Sequence, residues 1–237
     1  MKSMNTTRRS EEASTAYMER GSTFASSTIV ADITHSPSRF YYIEKRILDI
    51  VLATIGLIAL LPVFLVIGLC IKLDDGGKVL YFREMLGLRG RGYTILKFRT
   101  MIPDADAYLE RHPELKLEYQ KNMKLQKDPR ITRLGSFLRK TYLDELPQLF
   151  NVLAGQMSLV GPRSIPAHEL ALYGEYARKR LAVKPGITGP WQISENRYTS
   201  YDERVPLDMQ YIDNRSILLD LIILLKTLRV FIVRTGV

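Results

Sequence analysis

The residues that could do chemistry in this chain gather around an acidic pair, Asp144-Glu145, in the run Thr141-Tyr142-Leu143-Asp144-Glu145-Leu146-Pro147-Gln148-Leu149. An ionised aspartate is a competent nucleophile toward phosphorus. A glutamate beside it supplies a hard oxygen ligand for Mg²⁺, which binds through one or two carboxylates and is completed by substrate phosphates. Such a metal lets two anions, a carboxylate and a diphosphate, approach each other. The plainer use of the same residues is an Asp capping a helix whose first turn is acidic. Cations that could meet a phosphate stand on both sides of the pair. Lys97 and Arg99 lie close together in Lys97-Phe98-Arg99-Thr100-Met101, and Arg163 ends Ser158-Leu159-Val160-Gly161-Pro162-Arg163, a tight Gly-Pro turn. A planar guanidinium suits bidentate phosphate binding, although a solvated turn Arg or strand-end Lys is the commoner case.

The elements around these residues are legible in outline. Residues 79–82 and 93–98 read as short strands joined by a Gly- and Arg-rich stretch, which makes a hairpin. Residues 103–127 read as polar surface helix interrupted at Pro113, and Ser136 to Lys140 belong to a short cationic helix. A second helix is expected to begin with Asp144 as N-cap and Pro147 in its first turn, and to stop at Gly155. There the helix macrodipole and nearby cations would keep Asp144 ionised. The run from Lys184 to Gln192 is too punctuated by Gly and Pro to be helix or strand throughout. It exposes the only tryptophan, Trp191, for stacking on a base, for the lipid interface, or for half-buried packing.

The chain has 237 residues, 46% of them hydrophobic, enough for one sizeable core and a small appendage. Its 34 basic and 25 acidic residues leave a net charge of +9, which favours nucleic acid, anionic lipid or a phosphorylated substrate over a cationic one. A single cysteine, Cys70, excludes a disulfide framework and a Cys-based zinc site. Residues 1–40 are rich in Ser and Thr without apolar periodicity and read as a disordered or loosely attached tail. From Ile50 to Ile71 there is no charge; as helix this run is roughly 33 Å long, enough to cross a bilayer core. Pro62 sits just past its middle, where a kink is expected. Cations flank both ends: Arg39, Lys45 and Arg46 before, Lys72, Lys78 and Arg83 after. Equal flanks favour a re-entrant hairpin over a simple span. Thr54, Gly56, Gly68 and Cys70 are read as packing residues within it. The stretch 217–233 is apolar but broken by Asp220, Lys226 and Arg229, and reads as an amphipathic helix lying in the interface with its cations toward headgroups, or as a core helix with a charged outer stripe.

Four blocks, Lys97 to Met101, Asp144 to Leu149, Ser158 to Arg163 and Lys184 to Gly189, occur in the order found in the bacterial sugar transferases. From Lys45 through Thr227 the chain resembles that family, the small monotopic phosphoglycosyl transferases of exopolysaccharide and glycan assembly. The resemblance implies transfer of a sugar-1-phosphate from a UDP-sugar to undecaprenyl phosphate, with release of UMP and a covalent aspartyl-phosphosugar intermediate. It implies Asp144 as nucleophile, Glu145 assisting through Mg²⁺, Lys97 and Arg163 as phosphate contacts, and Arg204, Asp208 and Gln192 as nucleotide-side residues. It also implies seating on the cytoplasmic face of the bacterial inner membrane, glucose or galactose as the sugar, and downstream glycosyltransferases as further partners. The expected fold is α+β, mainly helical with a few short strands. It comprises a tail at 1–40, a re-entrant helix at 41–74 kinked near Pro62, and a catalytic domain at 75–237 ending in an interfacial helix. Three positions depart from the family pattern: Glu195-Asn196-Arg197 where Gly-Arg is usual, Arg215 in place of an aromatic, and Tyr142 in place of Ser. The rival readings are a membrane-tethered binding protein and a catalytically silent scaffold of a polysaccharide assembly complex. No helix-turn-helix, zinc or RNP-like signature supports a nucleic-acid partner.

Overall fold

A computed structural model of the chain describes residues 37–122, 125, 127–194 and 201–233. The expected tail up to residue 36, and Glu195-Asn196-Arg197, lie outside the described residues. The first helix, α1, is Arg39–Asp75. The Ser38 hydroxyl accepts the Tyr41 N–H at its start, and Gly76, in the left-handed conformation at φ 70°, ends it by donating its N–H to the Lys72 carbonyl. Glycine meets that backbone requirement without a Cβ penalty. Pro62 lies inside α1 and does not divide it into two helices.

Then comes the expected hairpin, β1 Leu80–Leu86 against β2 Gly92–Phe98, antiparallel, with Leu80 opposite Phe98 and Leu86 opposite Gly92. Helices α2 Ala105–Glu110 and α3 Pro113–Asn122 follow. Pro113 opens α3, a position where its missing N–H costs no hydrogen bond. Helix α4, Arg133–Lys140, is capped by the Thr132 hydroxyl, which accepts the Gly135 N–H at 2.9 Å. A 3₁₀ turn at Leu143–Glu145 leads to α5, Gln148–Leu153. A second sheet pairs β3 Ser158–Val160 in parallel with β4 Gly186–Thr188, and the connection between them holds a 3₁₀ stretch at Ala167–Tyr176 and α6 at Ala177–Arg180. Helices α7 Tyr201–Asn214 and α8 Ile217–Val233 complete the described chain. The architecture is mainly helical with short strands, as expected.

The main core joins Ile95 of β2, Val152 of α5, Met157, Val160 of β3, Met209 and Ile212 of α7, Ile223 of α8 and Ala53 of α1. A smaller cluster packs Ile67 and Ile71 of α1 on Phe98 and Leu138. The first helix, α1, therefore contributes to both cores. It is also pinned by polar contacts along its length. Near its start, Lys45 Nζ bonds Asp220 Oδ2 at 2.6 Å, and the Arg46 guanidinium donates to the Val152 and Leu153 carbonyls at the C-terminal end of α5. Asp49 accepts the Ser158 hydroxyl and the Leu159 N–H at 3.0 and 2.9 Å. At its end, Arg99 Nη1 bonds Asp75 at 2.6 Å.

Several local expectations are corrected. Thr54 and Cys70 face outward instead of packing, whereas Gly56 and Gly68 do sit close, against Leu149 and Val79. Arg99 does not join Lys97 at a phosphate-facing strand end, because β2 ends at Phe98 and Arg99 turns back to Asp75. In α8, Asp220 is on the buried side, bonded by Lys45, Tyr211 and Tyr41, so it belongs to no outer charged stripe. The outward face of α8 carries Leu218, Leu221, Ile222, Leu225 and Leu228, with Lys226 and Arg229 exposed among and beside them. Among the described residues α1 is the one helix long and apolar enough to cross a membrane, and only 11% of its most apolar window is buried.

Candidate active site

Lys97, the acidic pair and Arg163 come together where β2, the 3₁₀ turn after α4 and the turn after β3 meet. Asn151 fixes the first of these junctions: its Oδ1 accepts the Leu96 N–H at 3.0 Å and its Nδ2 donates to the Thr94 carbonyl at 2.7 Å. An α5 side chain thus takes the role of a neighbouring strand, and holds β2 so that Lys97 meets Glu145. Lys97 Nζ bonds Glu145 Oε1 at 2.7 Å, and Arg163 Nη2 bonds the same oxygen at 3.0 Å. The other oxygen of Glu145, and both oxygens of Asp144, have no hydrogen-bond partner among the described residues.

Asp144 is not the N-cap that its spacing to Pro147 implied. The helix proper begins at Gln148, and Asp144 sits in the preceding 3₁₀ turn without a capping bond. Tyr142, just before this turn, has φ 56° and ψ 13°, a left-handed conformation that a bulky residue adopts only when its surroundings impose it. The turn buries Asp144 to 8% exposure. Its carboxyl is accordingly not held ionised by a macrodipole. Burial, followed by the negative charge of Glu145, pushes it up to about 6, against the pull of Lys97, Arg139 and Arg163. Glu145 is also taken out of water, which by itself would raise it, but Arg163 and Lys97 outweigh this and hold it well below the usual carboxylate range. Two adjacent carboxyls are thereby split into a firmly ionised, cation-clamped one and an unpaired one with a raised proton affinity.

The remaining expected residues divide. Trp191 is half-buried, with the Arg204 guanidinium 4.4 Å and the Arg163 guanidinium 5.6 Å from its ring centre, so Arg204 does join the site edge. Both polar atoms of the Gln192 side chain are buried with no hydrogen-bond partner among the described residues. Asp208 is wholly buried and accepts the Tyr173 hydroxyl at 2.8 Å. Its other oxygen, Oδ1, is buried with no hydrogen-bond partner among the described residues, and it lies beside Arg180, itself wholly buried, which donates to the Arg163 carbonyl at 2.6 Å. Arg180 and Tyr173 thus back the Arg163 turn, and Arg139 flanks Asp144 while its Nε donates to Thr100 Oγ1 at 2.9 Å. None of these three stood out in the sequence. Arg180 lies in the run Arg178-Lys179-Arg180, which reads as a solvated basic face.

No group of three or more His, Cys, Asp or Glu side chains is placed to hold a metal among the described residues. The unbonded oxygens of Asp144 and Glu145 nonetheless suit Mg²⁺, which takes few protein ligands and leaves the rest to phosphate and water.

Residues 40–234 match the bacterial sugar transferase family. The chain is 44% identical over 190 residues to the exopolysaccharide production protein ExoY of Sinorhizobium fredii, covering 78% of this chain and 84% of that protein. It is 43% identical over 197 residues to the undecaprenyl-phosphate galactose phosphotransferase of Salmonella typhimurium, and 38% over 203 residues to the undecaprenyl-phosphate glucose phosphotransferase of Komagataeibacter xylinus. Each of those two matches covers 81% of this chain, but only 41% and 36% of the respective relative. The chain belongs to the bacterial sugar transferase family. It is an enzyme of the phosphoglycosyl transferase class.

Proposed function

We propose that this enzyme transfers a hexose-1-phosphate from a UDP-sugar to undecaprenyl phosphate, with release of UMP, through a covalent phosphosugar on Asp144. The observation that carries the reading is the asymmetry of the acidic pair: a clamped, ionised Glu145 beside an Asp144 whose oxygens have no hydrogen-bond partner among the described residues. Arg163 and Lys97 bring positive charge to the donor diphosphate, and Glu145 keeps both cations in place. An Asp144 oxygen forms a bond to the sugar-bearing phosphorus, the bond to the UMP oxygen breaks, and its electron pair leaves with UMP. In the second step an oxygen of the lipid phosphate forms the new bond to phosphorus, and the bond to Asp144 breaks. Mg²⁺, held by Asp144 and Glu145, would supply neutralisation of the diphosphate charge. Arg204, Trp191 and Gln192 are the residues to which we assign the nucleotide, and Asp208 acts behind them through Arg180.

The acceptor phosphate lies at a membrane surface, so the catalytic body has to reach that surface. We seat it on the cytoplasmic face of the inner membrane, with α1 dipping into the lipid and its two ends on the same side. In support, α1 is tied to the catalytic body from Lys45 and Asp49 through Ala53, Ile67 and Ile71 to Asp75. A helix crossing to the far face would carry one end roughly 30 Å away from such contacts. The outward apolar faces of α1 and α8 would rest in lipid.

The test is UMP release from a panel of UDP-hexoses, with Mg²⁺ and undecaprenyl phosphate present or omitted. Metal-dependent release from one hexose, absent in Asp144→Asn, is expected. A chain that keeps full release after that substitution would refute the role of Asp144, and no release from any UDP-hexose would leave the silent scaffold as the better reading.

A further inference from the structure

A second cavity, of about 390 Å³, shares no lining residue with the small pocket at Glu145. Four cations line it, Lys45, Arg46, Lys184 and Arg215, against one carboxylate, Asp49. That carboxylate is already engaged by the Ser158 hydroxyl and the Leu159 N–H, and Lys45 is engaged by Asp220. Among the described residues Arg46, Lys184 and Arg215 form no ion pair, although Lys184 lies within the field of Asp49. Arg46 and Arg215 spend their bonds on neutral oxygens, the Val152 and Leu153 carbonyls in one case and the Ile212 carbonyl and Tyr42 hydroxyl in the other. Arg215 Nε is buried with no hydrogen-bond partner among the described residues. Lys184 Nζ has no hydrogen-bond partner among the described residues, and it converges with Arg46: both cations come within 4 Å of the point where a side chain at Gly155 would begin. Gathering like charges in a concave, partly desolvated site is unfavourable unless an anion completes it.

The position of the cavity says which kind of anion. It is lined by the first turns of α1, with Tyr41 and Tyr42, by Arg215 just before α8, and by Leu88 and Ala182 to Lys184. Both helices present apolar residues outward immediately beyond this point. Tyrosines next to Lys and Arg at the root of lipid-facing helices mark headgroup depth, and basic pockets between such helices take anionic headgroups. We propose that this cavity binds the phosphate headgroup of an anionic phospholipid, with Lys184, Arg46 and Arg215 as its contacts, separately from donor and acceptor. The proposal rests on the membrane seating argued above, and it adds a lipid that fixes how deep the catalytic body rides.

The test uses the full chain in neutral detergent, titrated separately with dihexanoyl phosphatidylglycerol, dihexanoyl phosphatidylcholine and inorganic phosphate, with bound molecules counted by native mass spectrometry. One phosphatidylglycerol per chain is expected, on wild type and on Asp144→Asn alike. Affinity should fall about tenfold or more in Lys184→Gln combined with Arg215→Gln, and persist in Lys184→Arg. Equal retention of phosphatidylcholine, undiminished binding in the double variant, or loss of binding in Asp144→Asn would overturn the proposal. Inorganic phosphate bound as tightly as the lipid would assign the pocket to free phosphate instead and overturn the headgroup. Flotation of wild type with vesicles separates the two levels of the account: a chain that floats but shows no anionic preference refutes the pocket alone, whereas a chain that does not float refutes the seating.

Discussion

Glu145 and Asp144 are neighbours in sequence and opposites in chemistry. The difference is tertiary: Lys97 and Arg163 both reach Glu145, and neither bonds Asp144. Since the nucleophilic form is the ionised one, kcat/KM should fall as pH drops through about 6, the value to which burial pushes Asp144, and level off above it. A pH–rate profile with its acidic limb near 4 would contradict this. The sign for stability is the reverse. A carboxyl raised in the folded state favours folding while protonated, and that contribution is lost as pH rises through the folded value. Asp144→Asn should therefore be inactive yet melt a few degrees above wild type at pH 8, with a smaller gap at pH 5, in a thermal denaturation series. Glu145→Gln should have the opposite effect on stability, because it leaves Lys97 and Arg163 without their carboxylate.

At the scale of elements, sequence patterning located the hairpin, the cationic helix α4 and the turn that presents Arg163, because each depends on local periodicity or on Gly and Pro punctuation. It misjudged the start of α5. A Pro three residues after an Asp fits an N-cap, but the left-handed backbone at Tyr142 and the packing of Leu143 and Leu146 against the α1–Phe98 cluster draw the segment into a 3₁₀ turn instead. The Asn151 clamp and the Arg180 brace join residues far apart in sequence, so no local pattern announces them. The close approach of β3 and β4 is similarly unforgiving. A Cβ at Gly186 would lie 2.1 Å from the Gly161 nitrogen. Gly186→Ala should destabilise the fold by about 1–3 kcal/mol, the usual range for overpacking, and displace the Arg163 turn. Its mark would be a raised KM for the nucleotide sugar along with a lower melting temperature; an unchanged KM would separate this turn from donor binding.

At the scale of the described body, α1 and the catalytic residues are parts of one packed unit, Pro37–Val237. The Lys45–Asp220 pair, with Tyr41 and Tyr211 around it, joins the root of α1 to α8, and both helices turn apolar faces outward. The sequence showed that residues 50–71 are apolar, but not that Asp220 belongs to the interior, since a lone acid in an apolar run reads equally as an outward charge. Removing one member of a buried pair leaves its partner uncompensated, so Asp220→Asn should cost about 3 kcal/mol. The loss would be read as a lower melting temperature in detergent, with UMP release retained below it.

The central claim is that Asp144 carries the sugar phosphate between donor and lipid. Its most direct test is the intact mass of the protein after incubation with the preferred UDP-sugar and Mg²⁺ while undecaprenyl phosphate is withheld. The account predicts a mass increase of one hexose phosphate, localised to Asp144 by peptide mapping, accompanied by UMP release and discharged when the lipid phosphate is added. An unmodified protein, with UMP released only when donor and acceptor are present together, would contradict it.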